Sequence, residues 1–479
     1  MAKVEKLTKF IYLLPVLWAV VLRCSIGLFP HSGKGKPIMY GDFEAQRHWM
    51  EITVNLPLKD WYFNSSNNDL SYWGLDYPPL TAYHSCILGI ITYYVNSDWT
   101  ALYESRGSEN VVLVALMRFF VLLTDIVIYL PGLGYYYFML YPKLSHKIMN
   151  LESILCGFFF PGIILIDYGH FQYNIASLGL FIFSSMCFLR DKDIAGSILF
   201  CAGLCYKQME LYHSLPIFFL LLGKCLKSKH FVKYIFNLTL TVFITFSLIF
   251  LPIIVYGSGL IGVMQVIHRM FPISRGIFED KVSNFWCAIS IFKKFKSYTH
   301  SFIFLICALI TLLGSLPACL CVLFNPRKKM KYLYASLIVS LSFFLFSYQV
   351  HEKSILIPAT SALLLIPIEP FWGPFFLYVA TLSMWPLLVK DNLVIATLIT
   401  IGIYFVFFLK QILASKRIEK FFFIIFNVFW LIVIISVFVK PPQKYPYLYP
   451  LLLSQWCCGF FIMHFMYFYL RIFTVTEQF

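Results

Sequence analysis

FVKYIFNLTLTVFITFSLIFLPIIVY, residues 231–256, carries a single charged side chain, Lys233. A helix of that length rises roughly 39 Å at 1.5 Å per residue, more than the roughly 30 Å of bilayer hydrocarbon. It is apolar on every side, as a membrane span is. Outward from it, further spanning runs lie at 10–29, 110–139, 149–166, 172–189, 302–324, 331–348, 371–388, 391–412, 420–439 and 447–473. Three shorter runs, 194–206, 209–223 and 354–368, read as tilted, broken or incomplete spans, tolerated where irregular backbone lines a cavity. The expected fold is all-α: one polytopic membrane bundle of about 12–14 transmembrane helices over residues 1–479. Composition agrees. The chain is 60% hydrophobic and 13% charged, against roughly 25% charged in soluble domains. That excludes both an ordinary soluble domain and a disordered chain.

Charge then orients the bundle. The formal net charge of +15 belongs in so apolar a chain to loops facing anionic lipid, not to a nucleic-acid surface. Lys143/Lys147, Arg190/Lys192, Lys224/Lys227/Lys229/Lys233, Arg327/Lys328/Lys329/Lys331 and Lys410/Lys416/Arg417/Lys420 fall on one side, with Lys3, Lys6 and Lys9. The opposite short loops hold only Lys207, Lys353, Lys390, Lys440 and Lys444. The first set is therefore expected in the cytoplasm. The run 10–29 has no small-residue cleavage site after it and reads as an uncleaved anchor. Two long loops, 30–109 and 257–300, belong to the lumenal side, and the first contains the sequon at Asn64. The spans from about residue 300 onward form a more variable module. The 13 cysteines are odd in number and mostly lie within apolar runs, without zinc-site spacing.

Six polar strings converge on that lumenal face: GDFEAQRHW (41–49), WGLDYPP (73–79), DYGHFQYN (167–174), YKQME (206–210), RGIFEDK (275–281) and QVHEKS (349–354). Residues 43–54 read as a short amphipathic helix, with Phe43, Trp49 and Met50 as membrane-facing anchors. On it, Asp42 is open to two compatible roles, an N-cap or a general base, and Glu44 and Glu51 can pair with Arg47. His351, Lys353, Lys207, Arg275 and Lys281, among His170, Gln172, Gln208 and Asn174, suit an anionic, polar substrate. Arg and Lys donors take phosphate; amides and carboxylates take sugar hydroxyls. Asp191-Lys192-Asp193 has the form of a metal–nucleotide-sugar motif but sits in a short cytoplasmic turn, where it reads as a solvated loop. Arg118 and Asp125 lie inside a span, where helix packing is their expected role.

The strings YGDFEAQRHWMEIT, YFNSSNNDLSYWGLDYPPLTAYHS, IDYGHFQYN, YKQMELYH, RGIFEDKV and VHEKSIL closely resemble the endoplasmic-reticulum glucosyltransferases of asparagine-linked glycosylation. The resemblance runs from about residue 10 to beyond 440. It implies the membrane-embedded glycosyltransferase C fold, a multi-pass protein with its site on the lumenal side, and dolichyl-phosphate glucose as donor. Within the family, GDFEAQRHW and YWGLDYPPLTAYHS look most like the branch adding the first α-1,3-glucose to the lipid-linked Man9GlcNAc2 oligosaccharide. The branch adding the second glucose is the alternative.

By match to the family's first-loop acidic motif, Asp42 is the expected catalytic base. His351 and Lys353 are the first candidates for the donor phosphate, with Lys207 and Arg275 behind them. Glu44, Arg47, Asp76, His170, Gln172, Gln208, Glu210, Glu279, Asp280 and Glu352 complete the expected substrate-binding set. Neither a cofactor nor a metal is expected, and the expected partners are the two lipid-linked substrates and membrane lipid. A lipid or sugar transporter is the rival from another class. It would place its polar groups near the midplane on broken or repeated helices, whereas these lie at one face and no repeat is visible.

Overall fold

The structure is a computed structural model that describes residues 2–145, 149–271, 281–291 and 299–475. Helices account for every expected span. In chain order they are α1 (Ala2–Ile26), α2 (Gly41–Asn55), α3 (Pro79–Val95), α4 (Val111–Lys143), α5 (Leu151–Phe171), α6 (Asn174–Leu189), α7 (Asp193–Tyr206), α8 (Gln208–Leu226) and α9 (Phe231–Tyr256). There follow α10 (Gly259–Met270), α11 (His300–Phe324), α12 (Lys329–Phe346), α13 (Leu356–Leu365), α14 (Trp372–Ser383), α15 (Val394–Ala414), α16 (Arg417–Phe438) and α17 (Leu448–Thr474). Among the described residues nine helices are long and apolar enough to cross a membrane, and there is no β-sheet. The remaining spans of the expected bundle are shorter apolar helices such as α6 and α7.

Burial sorts the helices into layers. α12, α13 and α14 are buried almost throughout and form the centre. α9, by contrast, buries only Ile253 and turns Phe236, Phe243 and Leu248 outward. In a bilayer such a surface faces lipid tails, so exposure of these residues carries no hydrophobic cost.

Arg23, Arg118 and Asp125, ionisable residues within the bundle, each hold a hydrogen-bond partner on another helix. Arg23 of α1 donates from Nε to Asp125 of α4 at 2.6 Å, and the Tyr168 hydroxyl donates to the same carboxylate at 2.7 Å. Arg118 donates from Nη2 to the carbonyl oxygen of Gly169 at 3.0 Å. Both residues thus tie helices together, Asp125 through α1 and Arg118 through the end of α5. At the end of the bundle bearing the basic loops, Lys224 joins Asp191 (2.8 Å) to Asp193 (2.7 Å), and Lys329 also reaches Asp191. The D-x-D string is therefore a salt-bridged corner between the 190–193 and 224–230 turns.

The first long loop corrects one expectation. Phe43, Trp49 and Met50 do not anchor α2 to the membrane: all three are buried in protein. The segment 57–78 and α3 close over Trp49, which donates its indole N–H to the Trp73 carbonyl, whereas Phe43 stacks on His31 and meets Phe171 edge-on and Met50 lies against Thr92 of α3. α2 is buried along most of its length, while α3 turns Ile87, Ile90, Ile91 and Tyr94 outward.

Candidate active site

α2 begins at Gly41, not after Asp42, so Asp42 is no N-cap but a first-turn residue with its carboxylate available. The turn into α2 is tight. Tyr40 has φ 55° and Gly41 φ 74°, and a Cβ at Gly41 would meet the Ser32 carbonyl carbon at 2.8 Å. Ser32 accepts the otherwise unsatisfied Phe43 N–H on its hydroxyl at 3.1 Å and donates its own N–H to the His170 carbonyl. The start of α2 is thereby sewn to the end of α5.

That end of α5 is wound as a π-helix from Ile164 to Phe171, a form concentrated at functional sites. Phe171 then takes φ 86°, and the chain reverses so that His170 and Gln172 both face Asp42. Gly169 permits the approach of α15, because a Cβ there would meet Leu393 at 2.9 Å. Tyr40, Trp73, Phe171 and Gln349 are all non-glycine residues at positive φ, and all lie in or beside this region. Such strain persists where the surroundings enforce it.

Three nitrogens meet at one oxygen. Asp42 Oδ2 accepts from Lys353 Nζ at 2.7 Å and from Gln172 Nε2, and His170 Nε2 lies 3.0 Å away. Lys353 Nζ is also 3.2 Å from His170 Nε2, and His170 Nδ1 is 2.5 Å from Asp391 Oδ2. Gln172 in turn accepts from Asn174, which donates also to Asp167 at 2.6 Å and accepts from Lys207. Burial would raise the Asp42 carboxyl, but Lys353 and then His170 hold it well below the usual carboxylate range. Burial also opposes the Lys353 ammonium, yet Asp42 and Glu352 raise it above its ordinary value. Burial, helped by the charge of Lys353, lowers Lys207 to about 8.

The cluster opens into a cavity of ≈ 1150 Å³. Asp42, Asp76, His170, Lys207, His351 and Lys353 line its polar part. Its other end runs between α8, α11 and α12 along Leu211, Phe304, Ala308, Leu312 and Phe343, and Phe304 and Leu312 are themselves open to the lipid side. One chamber thus joins an ionic head to an apolar flank. A lipid whose head is a charged sugar phosphate matches that shape.

A family model for the "ALG6, ALG8 glycosyltransferase family" matches residues 19–468. The chain belongs to that family. Its relatives include the mouse (Mus musculus) protein named dolichyl pyrophosphate Man9GlcNAc2 alpha-1,3-glucosyltransferase, 42% identical over 95% of this chain and 94% of the relative. The Saccharomyces cerevisiae protein of the same name is 44% identical over 78% of this chain and 70% of its own length. A probable Arabidopsis thaliana counterpart is 38% identical over 97% of this chain and 90% of its own. Membership makes this a glycosyltransferase, and five of the six polar strings of the sequence contribute to its cavity; the sixth, 275–281, lies outside the described residues but for Lys281.

In this member of the ALG6, ALG8 family the expected site residues divide into three groups. Asp42, Asp76, His170, Gln172, Lys207, Gln208, Glu210, His351, Glu352 and Lys353 line the cavity. Glu44 and Arg47 do not: they are buried on another face of α2 and belong to its scaffold. Arg47 donates to Glu44 at 2.6 and 2.7 Å, to Glu51 at 2.6 Å and to the Ser105 hydroxyl at 2.6 Å. With every oxygen so engaged, neither residue is placed to touch a substrate. Arg275, Glu279 and Asp280 lie outside the described residues. Asn64 is exposed on the 57–78 segment, with Oδ1 accepting from the Leu70 N–H.

Sequence reasoning passed over Asp391, which lines the cavity and is 5% exposed. The available signal was a lone carboxylate in a short turn between two apolar runs, on the same face as the other polar strings.

Lys353 is the cation nearest the proposed base, and one substitution separates its roles. Lys353→Met keeps the unbranched stem of the side chain and removes the ammonium. Loss of one hydrogen bond to a charged group is worth about 1.5–3 kcal/mol, so kcat/KM for the donor is expected to fall roughly tenfold to a hundredfold. Steady-state kinetics with varied donor check this; an unchanged donor kcat/KM would remove Lys353 from phosphate binding.

Proposed function

We propose that this chain transfers glucose from dolichyl-phosphate glucose to the lipid-linked oligosaccharide Man9GlcNAc2-PP-dolichol in an α-1,3 linkage. It does so at the lumenal face of the endoplasmic-reticulum membrane, in assembly of the N-glycan precursor. The observation that carries the reading is the Asp42–Lys353 pair, 2.7 Å apart, at the polar end of a cavity with an apolar flank. Relatives at 38–44% identity that bear the Man9GlcNAc2 alpha-1,3-glucosyltransferase name support the choice of acceptor. The excess of Lys and Arg in the loops at the other end of the bundle supports the orientation.

The chemistry follows from the substrates. Each polyprenyl chain gains about 0.8 kcal/mol per buried CH₂ in lipid, so only the head groups reach the membrane surface and the enzyme must work there. The acceptor hydroxyl attacks the anomeric carbon of the donor as the bond to the phosphate oxygen breaks. The leaving group is a phosphate monoester whose second pKa is about 6, so it departs without a general acid. Glycoside hydrolysis needs two carboxyl groups; here one base and a phosphate-binding cation suffice. Asp42 accepts the hydroxyl proton, and Lys353 with His351 holds the phosphate. A donor phosphate drawing on Lys353 relieves the ammonium's hold on Asp42, so the carboxylate gains basicity only when donor is present. A single displacement inverts the β-linked donor to an α-linked product.

Lys353 itself neutralises Asp42 at 2.7 Å, and the reading needs no metal. EDTA-treated enzyme is therefore expected to keep its rate, with no stimulation by added Mg²⁺ or Mn²⁺ in a labelled-glucose assay. The reading itself is tested with purified protein, labelled dolichyl-phosphate glucose and two acceptors. Label should pass to the nine-mannose oligosaccharide and not to its monoglucosylated form. Transfer to the monoglucosylated form alone would assign the second-glucose reaction instead.

A further inference from the structure

We propose that His170 and Asp391 are the proton outlet of Asp42, with Asp391 a positioning residue that acts through the imidazole. The inference rests on the reading of Asp42 as the base. His170 is 3% exposed and lies between two carboxylates, Nε2 3.0 Å from Asp42 Oδ2 and Nδ1 2.5 Å from Asp391 Oδ2. Lys353 Nζ stands 3.2 Å from the same Nε2. Asp42 from α2, Lys353 from the turn before α13 and Asp391 from the turn before α15 are the charged groups that face the ring.

This arrangement satisfies the imidazole in two protonation states without moving a residue. In the neutral ring Nδ1–H donates to Asp391, and the Nε2 lone pair accepts from the Lys353 ammonium. In the imidazolium Nδ1–H still donates to Asp391, and Nε2–H donates to Asp42. A histidine that served only as a structural link would need one of these states, not both. The buried Asp391 carboxylate fixes the ring's orientation and offsets the charge of the second state, as a carboxylate behind a catalytic histidine does elsewhere.

The proton balance is complete. The acceptor O–H bond breaks and its proton passes to Asp42. The oxygen's electron pair forms the new bond to the anomeric carbon, while the pair of the old carbon–oxygen bond leaves with the phosphate. Asp42 then passes the proton to Nε2 of neutral His170 and becomes a carboxylate again. His170 gives the proton to water in the cavity when Lys353 returns to Nε2. No oxidant, reductant or further reactant enters.

The test is a pH–rate profile of the full-length enzyme under donor and acceptor saturation. His170 must be neutral to receive the proton, so kcat should fall on the acid side as the ring becomes protonated. Asp391→Asn keeps an acceptor for Nδ1–H but removes the charge that favours the imidazolium. It is expected to lower kcat about tenfold or more, leave the donor KM unchanged, and move the acid limb to lower pH by about one unit. Asp391→Glu should recover part of the rate and of the limb. An Asp391→Asn enzyme with wild-type kcat overturns the proposal, and so does one whose kcat falls while the acid limb stays in place. If Asp391→Asn does not fold, His170→Gln decides, since it keeps a donor and an acceptor but carries no proton. Loss of rate together with loss of the acid limb supports the outlet, and any other profile overturns it. Asp42→Asn run in parallel separates the two ideas. Activity there removes the base itself, whereas an inactive Asp42→Asn beside a wild-type Asp391→Asn removes only the outlet.

Discussion

Asp42→Asn is expected to abolish measurable glucosyl transfer while the protein remains folded and membrane-inserted. A positioned general base contributes typically 10²–10⁴-fold, and an amide of the same shape cannot take up the acceptor's proton. The fold should survive because Asp42 is 24% exposed at the cavity, not a brace of the bundle. Its other neighbours keep partners of their own, Gln172 through Asn174 and His170 through Asp391. The substitution does leave the Lys353 ammonium without its carboxylate, and this works in favour of the donor phosphate. The expected pattern is thus a kcat loss of at least about a hundredfold with donor KM equal to or below wild type. Initial rates across donor concentrations measure it. A purified, monodisperse Asp42→Asn enzyme with near-wild-type kcat would remove the base assignment.

Arg47→Ala is expected to have the largest effect on stability. The guanidinium is fully buried and bonds Glu44, Glu51 and Ser105 at 2.6–2.7 Å, while Glu51 also accepts from the Tyr103 N–H. Removing one partner of a buried ion network costs about 3–5 kcal/mol, because the remaining charges have no water to turn to. Here two carboxylates lose their shared cation. Burial would raise the Glu51 carboxyl, but His48 and Arg47 hold it at about 2, so it stays ionised and exposed to that penalty. The damage reaches function because the same helix carries Asp42, and a displacement of about 1 Å at a reacting group can cost 10²-fold in rate. Thermal unfolding in detergent should show a markedly lower midpoint for Arg47→Ala, with Arg47→Lys between it and wild type. Lysine keeps the charge but cannot reproduce the fork-shaped contact. A wild-type melting curve for Arg47→Ala would contradict the scaffold role.

These two substitutions mark what the sequence could and could not convey. The longer spans were legible because each is a sustained apolar run, and the structure places helix in these and in the three shorter runs as well. The convergence of five of the polar strings was legible from the span pattern together with the charge asymmetry of the loops. The division of labour within GDFEAQRHW was not. Glu44, Arg47 and Glu51 are three and four residues apart, a spacing that serves a scaffold and a binding face equally well. Which face of α2 is covered depends on the 57–78 segment and α3 folding back over it. The membrane-facing role read for Phe43, Trp49 and Met50 failed for non-local reasons too: Trp49 is covered by those segments, and Phe43 by His31 and Phe171.

His170 and Gln172 illustrate a different limit. The expected spans leave a gap between 166 and 172, but helix continues to Phe171 as a π-turn. Nothing in local propensity marks that winding. Its contacts are distant in sequence: Arg118 holds the Gly169 carbonyl, and Leu393 packs where Gly169 has no Cβ. Asp391 was harder still, being a single carboxylate 221 residues from the histidine it serves.

The central claim is that Asp42 meets the acceptor while Lys353 meets the donor phosphate within one cavity. A structure of the enzyme holding a non-transferable donor analogue and a nine-mannose acceptor measures this directly. The predicted result has the acceptor hydroxyl about 2.6–3.2 Å from an Asp42 oxygen, with the donor phosphate against Lys353 and His351 and the polyprenyl chain along Phe304 and Leu312. A donor phosphate seated away from Lys353, or an acceptor hydroxyl directed to another carboxylate, would contradict it.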